Sequence, residues 1–94
     1  MEMIDLDNCN RAEKAYLNVA SYLALYPNSF IKTVEKVIKP KIISIRVIYQ
    51  SPKSEKSYAN SFSFYRFGEA EQAQQFVNLL KENYNDITFE ERTE

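Results

Sequence analysis

Histidine and tryptophan are missing from this chain, and glycine and cysteine occur once each, as Gly68 and Cys9. Each scarcity excludes something. Without histidine the chain loses the commonest general base and the commonest metal ligand. A single glycine cannot build a glycine-rich phosphate loop, and it argues against type I′ and II′ hairpin turns, which need positive φ. One cysteine cannot close an internal disulfide, so a reducing compartment is the simplest reading. Long apolar runs are also absent. The longest apolar-rich stretch, Ile42 to Tyr49, is interrupted by Ser44 and Arg46 and is too short to span a bilayer. The opening Met-Glu-Met-Ile-Asp has neither the basic n-region nor the apolar h-region of a signal peptide. Together these features predict a soluble, cytoplasmic protein with no membrane association.

What is present fits one globular domain over residues 1–94. The hydrophobic fraction is 45% and the charged fraction 27%, too apolar for intrinsic disorder. A chain this size buries roughly 60–65% of its extended-chain surface, enough for one modest core. Seven tyrosines and six phenylalanines supply large buried area per side chain.

Charge is sorted along the chain. Residues 31–66 carry eight basic and two acidic side chains; residues 67–94 carry seven acidic and two basic; residues 1–30 carry four acidic and two basic. A net charge of −1 therefore hides a basic middle and an acidic tail. Partners respond to such local potential rather than to the sum.

After a lead-in over residues 1–9, Asn10 and Glu13 have the spacing of a capping box. Ala12, Ala15, Tyr16, Val19, Ala20, Leu23 and Tyr26 then recur at helical steps until Pro27 ends the helix. Residues 28–39 fit a helix better than a strand. Phe30, Ile31, Val34, Val37 and Ile38 fall on one helical face, whereas strand alternation splits them. Pro40 closes this segment. Residues 41–50 alternate as a strand rich in β-branched residues, and residues 57–67 form a second strand with serines on one face. Residues 51–56 connect them as a polar loop. Residues 69–84 form the strongest helix, with Ala70, Ala73, Phe76, Val77, Leu80 and Tyr84 as its buried stripe. A short last strand follows from Ile87, its charged end suited to an edge.

The order α-α-β-β-α-β predicts an α+β fold with a three-stranded, mainly antiparallel sheet packed by helices. The last strand is placed antiparallel beside residues 41–50. The alternative, with 28–39 as a strand, is α-β-β-β-α-β and a four-stranded sheet.

Little chemistry survives scrutiny. The paired carboxylates sit in a helix start and in the C-terminal tail, where solvation keeps them ordinary. Cys9 precedes a helix N-terminus, which can lower a thiol pKa, but no histidine exists to activate it. No metal-ligand spacing, cofactor motif or small-molecule site is evident, and no motif ties the chain to a family. The expectation is therefore no enzyme: no catalytic residues, no metal, no cofactor.

The hairpin over residues 41–66 is the best functional candidate, because it interleaves cations with aromatics. The candidate partner-binding residues are Lys39, Lys41, Arg46, Tyr49, Lys53, Lys56, Tyr65 and Arg66. Tyr22 joins them as the tyrosine lying off the main stripe of the first helix; Tyr16 and Tyr26 are assigned to the core. The chain reads as a small regulator, adaptor or inhibitor that occupies a protein partner's surface, with a homodimer as one form of that interaction. The runner-up is nucleic-acid binding by the basic, aromatic hairpin, with cations on phosphates and aromatics on bases. It is second because the whole domain is not basic.

Overall fold

The computed structural model describes residues 10–94. The lead-in 1–9 and Cys9 lie outside the described residues. The element order is α1 (Arg11–Leu25), β1 (Phe30–Ile38), β2 (Ile42–Gln50), β3 (Ser57–Tyr65), α2 (Ala70–Asn83) and β4 (Thr88–Thr93). This is the α-β-β-β-α-β arrangement, an α+β fold with a four-stranded mixed sheet ordered β3-β2-β1-β4.

Segment 28–39 is therefore a strand and not a helix. The reason lies in its register. A bulge between Ile31 and Thr33 shifts β1 by one residue against β2, so Ile31 pairs with Tyr49 and Val34 with Val47. Ile31 and Val34 thus share the inner face although they are three residues apart. A bulged strand has imitated helical spacing. Val37 falls on the other face, opposite Ser44.

With β1 on one side of β2 and β3 on the other, β2 has no free edge. The last strand consequently pairs with β1, in parallel, from Thr33↔Thr88 to Ile38↔Thr93. This corrects the expected antiparallel pairing beside residues 41–50. Helix α2 supplies the crossover that a parallel return requires.

Both helices pack on one face. Asn10 caps α1 by accepting from the Glu13 amide at 3.0 Å. The core joins Ala12, Ala15 and Val19 of α1 and Ala73, Phe76, Val77 and Leu80 of α2 to Ile31, Val34, Ile43, Ile45, Val47, Tyr49 and Phe64 of the sheet. Phe76 anchors it, edge-on to Phe62 at 5.0 Å and tilted against Phe64 at 6.2 Å. Lys36 also points inward, its ammonium reaching Gln74 at 2.9 Å and Glu91 at 3.3 Å. The domain measures 40 × 34 × 17 Å, the thickness of one sheet and one helix layer. The opposite face, bearing Glu35, Ser44, Arg46, Ser61, Ser63 and Tyr65, carries no helix among the described residues.

No helix among the described residues is long and apolar enough to cross a membrane.

Candidate interaction surface

The nine candidate residues separate into three groups. Lys39, Lys41, Tyr65 and Arg66 converge where the β1–β2 turn meets the end of β3. The Lys39 amide donates to the Ile42 carbonyl at 2.8 Å, closing the turn around Pro40. The Arg66 amide donates to the Lys41 carbonyl at 3.0 Å, and its guanidinium donates to the Lys39 carbonyl at 3.2 Å. Tyr65 pairs with Ile42 and is 65% exposed. Beside them stands Phe67, 80% exposed, with the Arg66 guanidinium 5.7 Å from its ring centroid. Gly68, at φ 112°, turns the chain immediately afterwards. The result is a tip carrying two exposed aromatic rings and three cations.

Lys53 and Lys56 lie in the β2–β3 loop at the opposite end of the sheet. That loop is held by its own polar groups: Gln50 Nε2 donates to the Ser54 carbonyl at 2.6 Å, and the Ser54 amide donates to the Ser51 carbonyl at 3.2 Å. Nine residues of β2 separate the two ends, a span of about 30 Å. Arg46 sits between them on the helix-free face, opposite Glu35 on β1 and Ser61 on β3.

Tyr49 is not a surface group, and Tyr22 is only partly exposed. Tyr49 is 1% exposed on the helix side, and its hydroxyl accepts from Asn60 Nδ2 at 3.1 Å. Tyr22 is half-buried and stacks on Tyr49 with centroids 4.0 Å apart. Tyr26, expected in the core, is exposed instead. Helix α1 stops at Leu25, so Tyr26 takes the non-helical cap conformation (φ −124°, ψ 74°) and leaves the stripe.

The charge sorting also resolves in space. The acidic strand β4 neutralises Lys36 through Glu91. Its end reaches the edge of the tip, where the Glu94 amide donates to the Ile38 carbonyl at 2.8 Å. The rest of the basic middle is thus two separate patches, the central Arg46 and Lys32, exposed at the β1 bulge.

Phe67 was not singled out from the sequence. The sequence pattern places Phe67 inside a strand over residues 57–67, whereas the pairing of β3 ends at Tyr65 and leaves Phe67 on the turn before Gly68.

Among the described residues, the ionisable groups whose pKa moves are all tyrosines, and all move upward. Burial raises Tyr22, with the neighbouring Tyr26 and Tyr58 adding to it. Burial also raises Tyr49, partly offset by the Asn60 hydrogen bond. Tyr84 is pushed to about 12, chiefly by burial and then by Tyr16. These shifts make phenols harder to ionise, the direction opposite to that of an activated nucleophile. Among the described residues, no group of three or more carboxylate or thiol side chains gathers to hold a metal ion.

No family model, curated protein or solved structure matches this chain.

Proposed function

We propose that the domain is a non-enzymatic protein-interaction module that docks by its tip, Lys39, Lys41, Tyr65, Arg66 and Phe67, onto an acidic partner surface containing an apolar recess. The observation that carries this reading is Phe67, four-fifths exposed beneath the Arg66 guanidinium. An aromatic ring held outside the core offers large contact area, and interface hot spots are enriched in aromatics and arginine. The surrounding cations would steer an acidic surface toward it.

Nucleic-acid binding is less well supported by the same geometry. A backbone-tracking groove needs a continuous basic path, and here the two basic ends lie about 30 Å apart. Tyr49, the central aromatic of that hairpin, is buried on the face opposite Arg46.

The test is a photo-crosslinkable phenylalanine analogue at position 67, used in extract of the native source. The expected product is one stoichiometric protein adduct that survives nuclease treatment and is lost in the Lys39→Glu, Lys41→Glu double variant. Adducts that vanish with nuclease would shift the assignment to nucleic acid. The absence of any specific adduct would reject both.

A further inference from the structure

We infer that the free edge of β3 is a second binding site, which accepts an extended, carboxylate-bearing segment of a protein partner as a fifth strand. This goes beyond the tip and stands on different residues.

The two edges of the sheet differ. Strand β4 carries Glu90, Glu91 and Arg92 among its six residues, the usual protection of an edge against stray pairing. Strand β3, SYANSFSFY, is nine residues long with no charge and no proline. Its pairing with β2 runs unbroken from Ile42↔Tyr65 to Gln50↔Ser57. An edge of this kind is a template for another strand.

The hydrogen bonds show which groups remain available. The Arg66 amide faces inward to Lys41, so by antiparallel alternation the backbone groups of residues 57, 59, 61, 63 and 65 face outward. At the far end these are satisfied within the chain. The Ser63 carbonyl accepts from Arg11 Nη2 at 2.7 Å, and the Tyr65 amide donates to Glu69 Oε1 at 2.8 Å. The Tyr65 carbonyl accepts from the Glu69 amide at 3.1 Å. Among the described residues, what stays open is the stretch from Ser57 to the Ser63 amide.

Alongside lies a groove of about 300 Å3 between β3 and α1. Its α1 wall presents Arg11, Lys14 and Asn18, at i, i+3 and i+7 on one helical face. Its β3 wall is the run Ser61 to Phe64. A strand paired to β3 would sit about 4.8 Å from it, and alternate side chains would turn toward that wall. Lys14 makes a carboxylate the matching side chain. The same cations disfavour a second copy as occupant: two-fold pairing of β3 with itself would set one Arg11–Lys14 wall against the other.

The experiment screens random displayed peptides, about nine residues long to match one strand, against the whole protein. Enriched peptides are expected to carry β-branched residues and at least one carboxylate. Their synthetic versions should slow amide exchange at Ala59 and Ser61. Lys14→Glu should weaken them about tenfold, the scale of losing one close charge pair. Ser61→Pro, which removes an outward amide from an edge where proline is tolerated, should abolish binding. Circular dichroism checks that variant, and if it fails to fold the Lys14→Glu result decides. Lys39→Glu at the tip should leave binding unchanged, which separates this site from the one proposed above. No enrichment, protection mapping elsewhere, indifference to Lys14→Glu, or protection of Ala59 and Ser61 by self-association without peptide would each overturn the inference.

Discussion

Arg11 and Glu69 meet at 2.6 Å, and between them they close one end of the β3 edge. The two residues are 58 positions apart in sequence, one opening α1 and the other preceding α2. Each makes a second bond to the strand, Arg11 to the Ser63 carbonyl and Glu69 to the Tyr65 amide. The arginine also lies over the Phe64 ring at 5.4 Å. The ion pair is a clasp joining both helices to the outermost strand, and it occupies the Ser63 carbonyl and the Tyr65 amide at that end of the edge.

An exposed ion pair alone contributes about 0–1 kcal/mol, but these side chains also satisfy backbone groups. Glu69→Ala is therefore expected to lower unfolding free energy by about 1–2 kcal/mol. Glu69→Gln, which keeps an acceptor for Tyr65, should cost about half as much. Urea denaturation measures both. Equal losses for the two variants would show that the charge, and not the bond to the strand, is what matters.

The Tyr49–Asn60 hydrogen bond predicts an asymmetry. Tyr49 is buried while Asn60 is half-buried and reaches water more easily. Tyr49→Phe removes the bond and leaves an amide that can hydrate, costing about 1 kcal/mol. Asn60→Ala strands a buried hydroxyl and should cost more, about 1–3 kcal/mol. Denaturation of both single variants and the double variant tests the order. A larger cost for Tyr49→Phe would contradict it.

How far the sequence could be read turns on particular residues. Ile43, Ile45, Val47 and Tyr49 alternate cleanly, and β2 stands where expected with all four buried. The stripe from Ala73 to Leu80 is likewise the buried face of α2. Segment 28–39 misled because the bulge at Lys32 puts Ile31 and Val34 on one face, and no residue type announces a bulge. The site was legible in part. Lys39, Lys41, Tyr65 and Arg66 were named, but the strand pairing that brings them together is non-local. Tyr49 lies in the core instead of on the surface because a tyrosine's hydroxyl suits a surface and a satisfied core equally well.

Backbone conformation at two turns gives another pair of outcomes. Gly68 has φ 112°, and a Cβ there would meet nothing within 4 Å. Space is therefore not the constraint. Gly68→Ala should still cost about 1 kcal/mol or more, because alanine disfavours that backbone conformation. Asp86 sits at φ 62°, where a short polar residue is tolerated. Asp86→Gly should be close to neutral, whereas Asp86→Val should cost about 1–2 kcal/mol. Thermal melts of the three variants check this. A neutral Gly68→Ala would mean that the turn relaxes.

Alkaline pH offers the last test, through Tyr84. Its phenol packs 6.3 Å from the Tyr16 ring, and its pKa rises from an ordinary 10.0 to about 12 in the fold. The sign follows directly. Below pH 10 both folded and unfolded chains hold the proton, and Tyr84 contributes no pH dependence. Between 10 and 12 the unfolded chain releases the proton while the folded one retains it, so stability falls as pH rises. Beyond the folded pKa both forms are ionised and this contribution to the decline ends. Tyr84→Phe should flatten that part of the curve and leave the region below pH 10 without slope from this residue. Tyr16→Phe should narrow the window, since Tyr16 adds to the shift. Urea midpoints measured across the alkaline range, with tyrosinate absorbance of the folded protein in parallel, read both effects. An alkaline loss of stability identical in wild type and Tyr84→Phe would assign it to other groups.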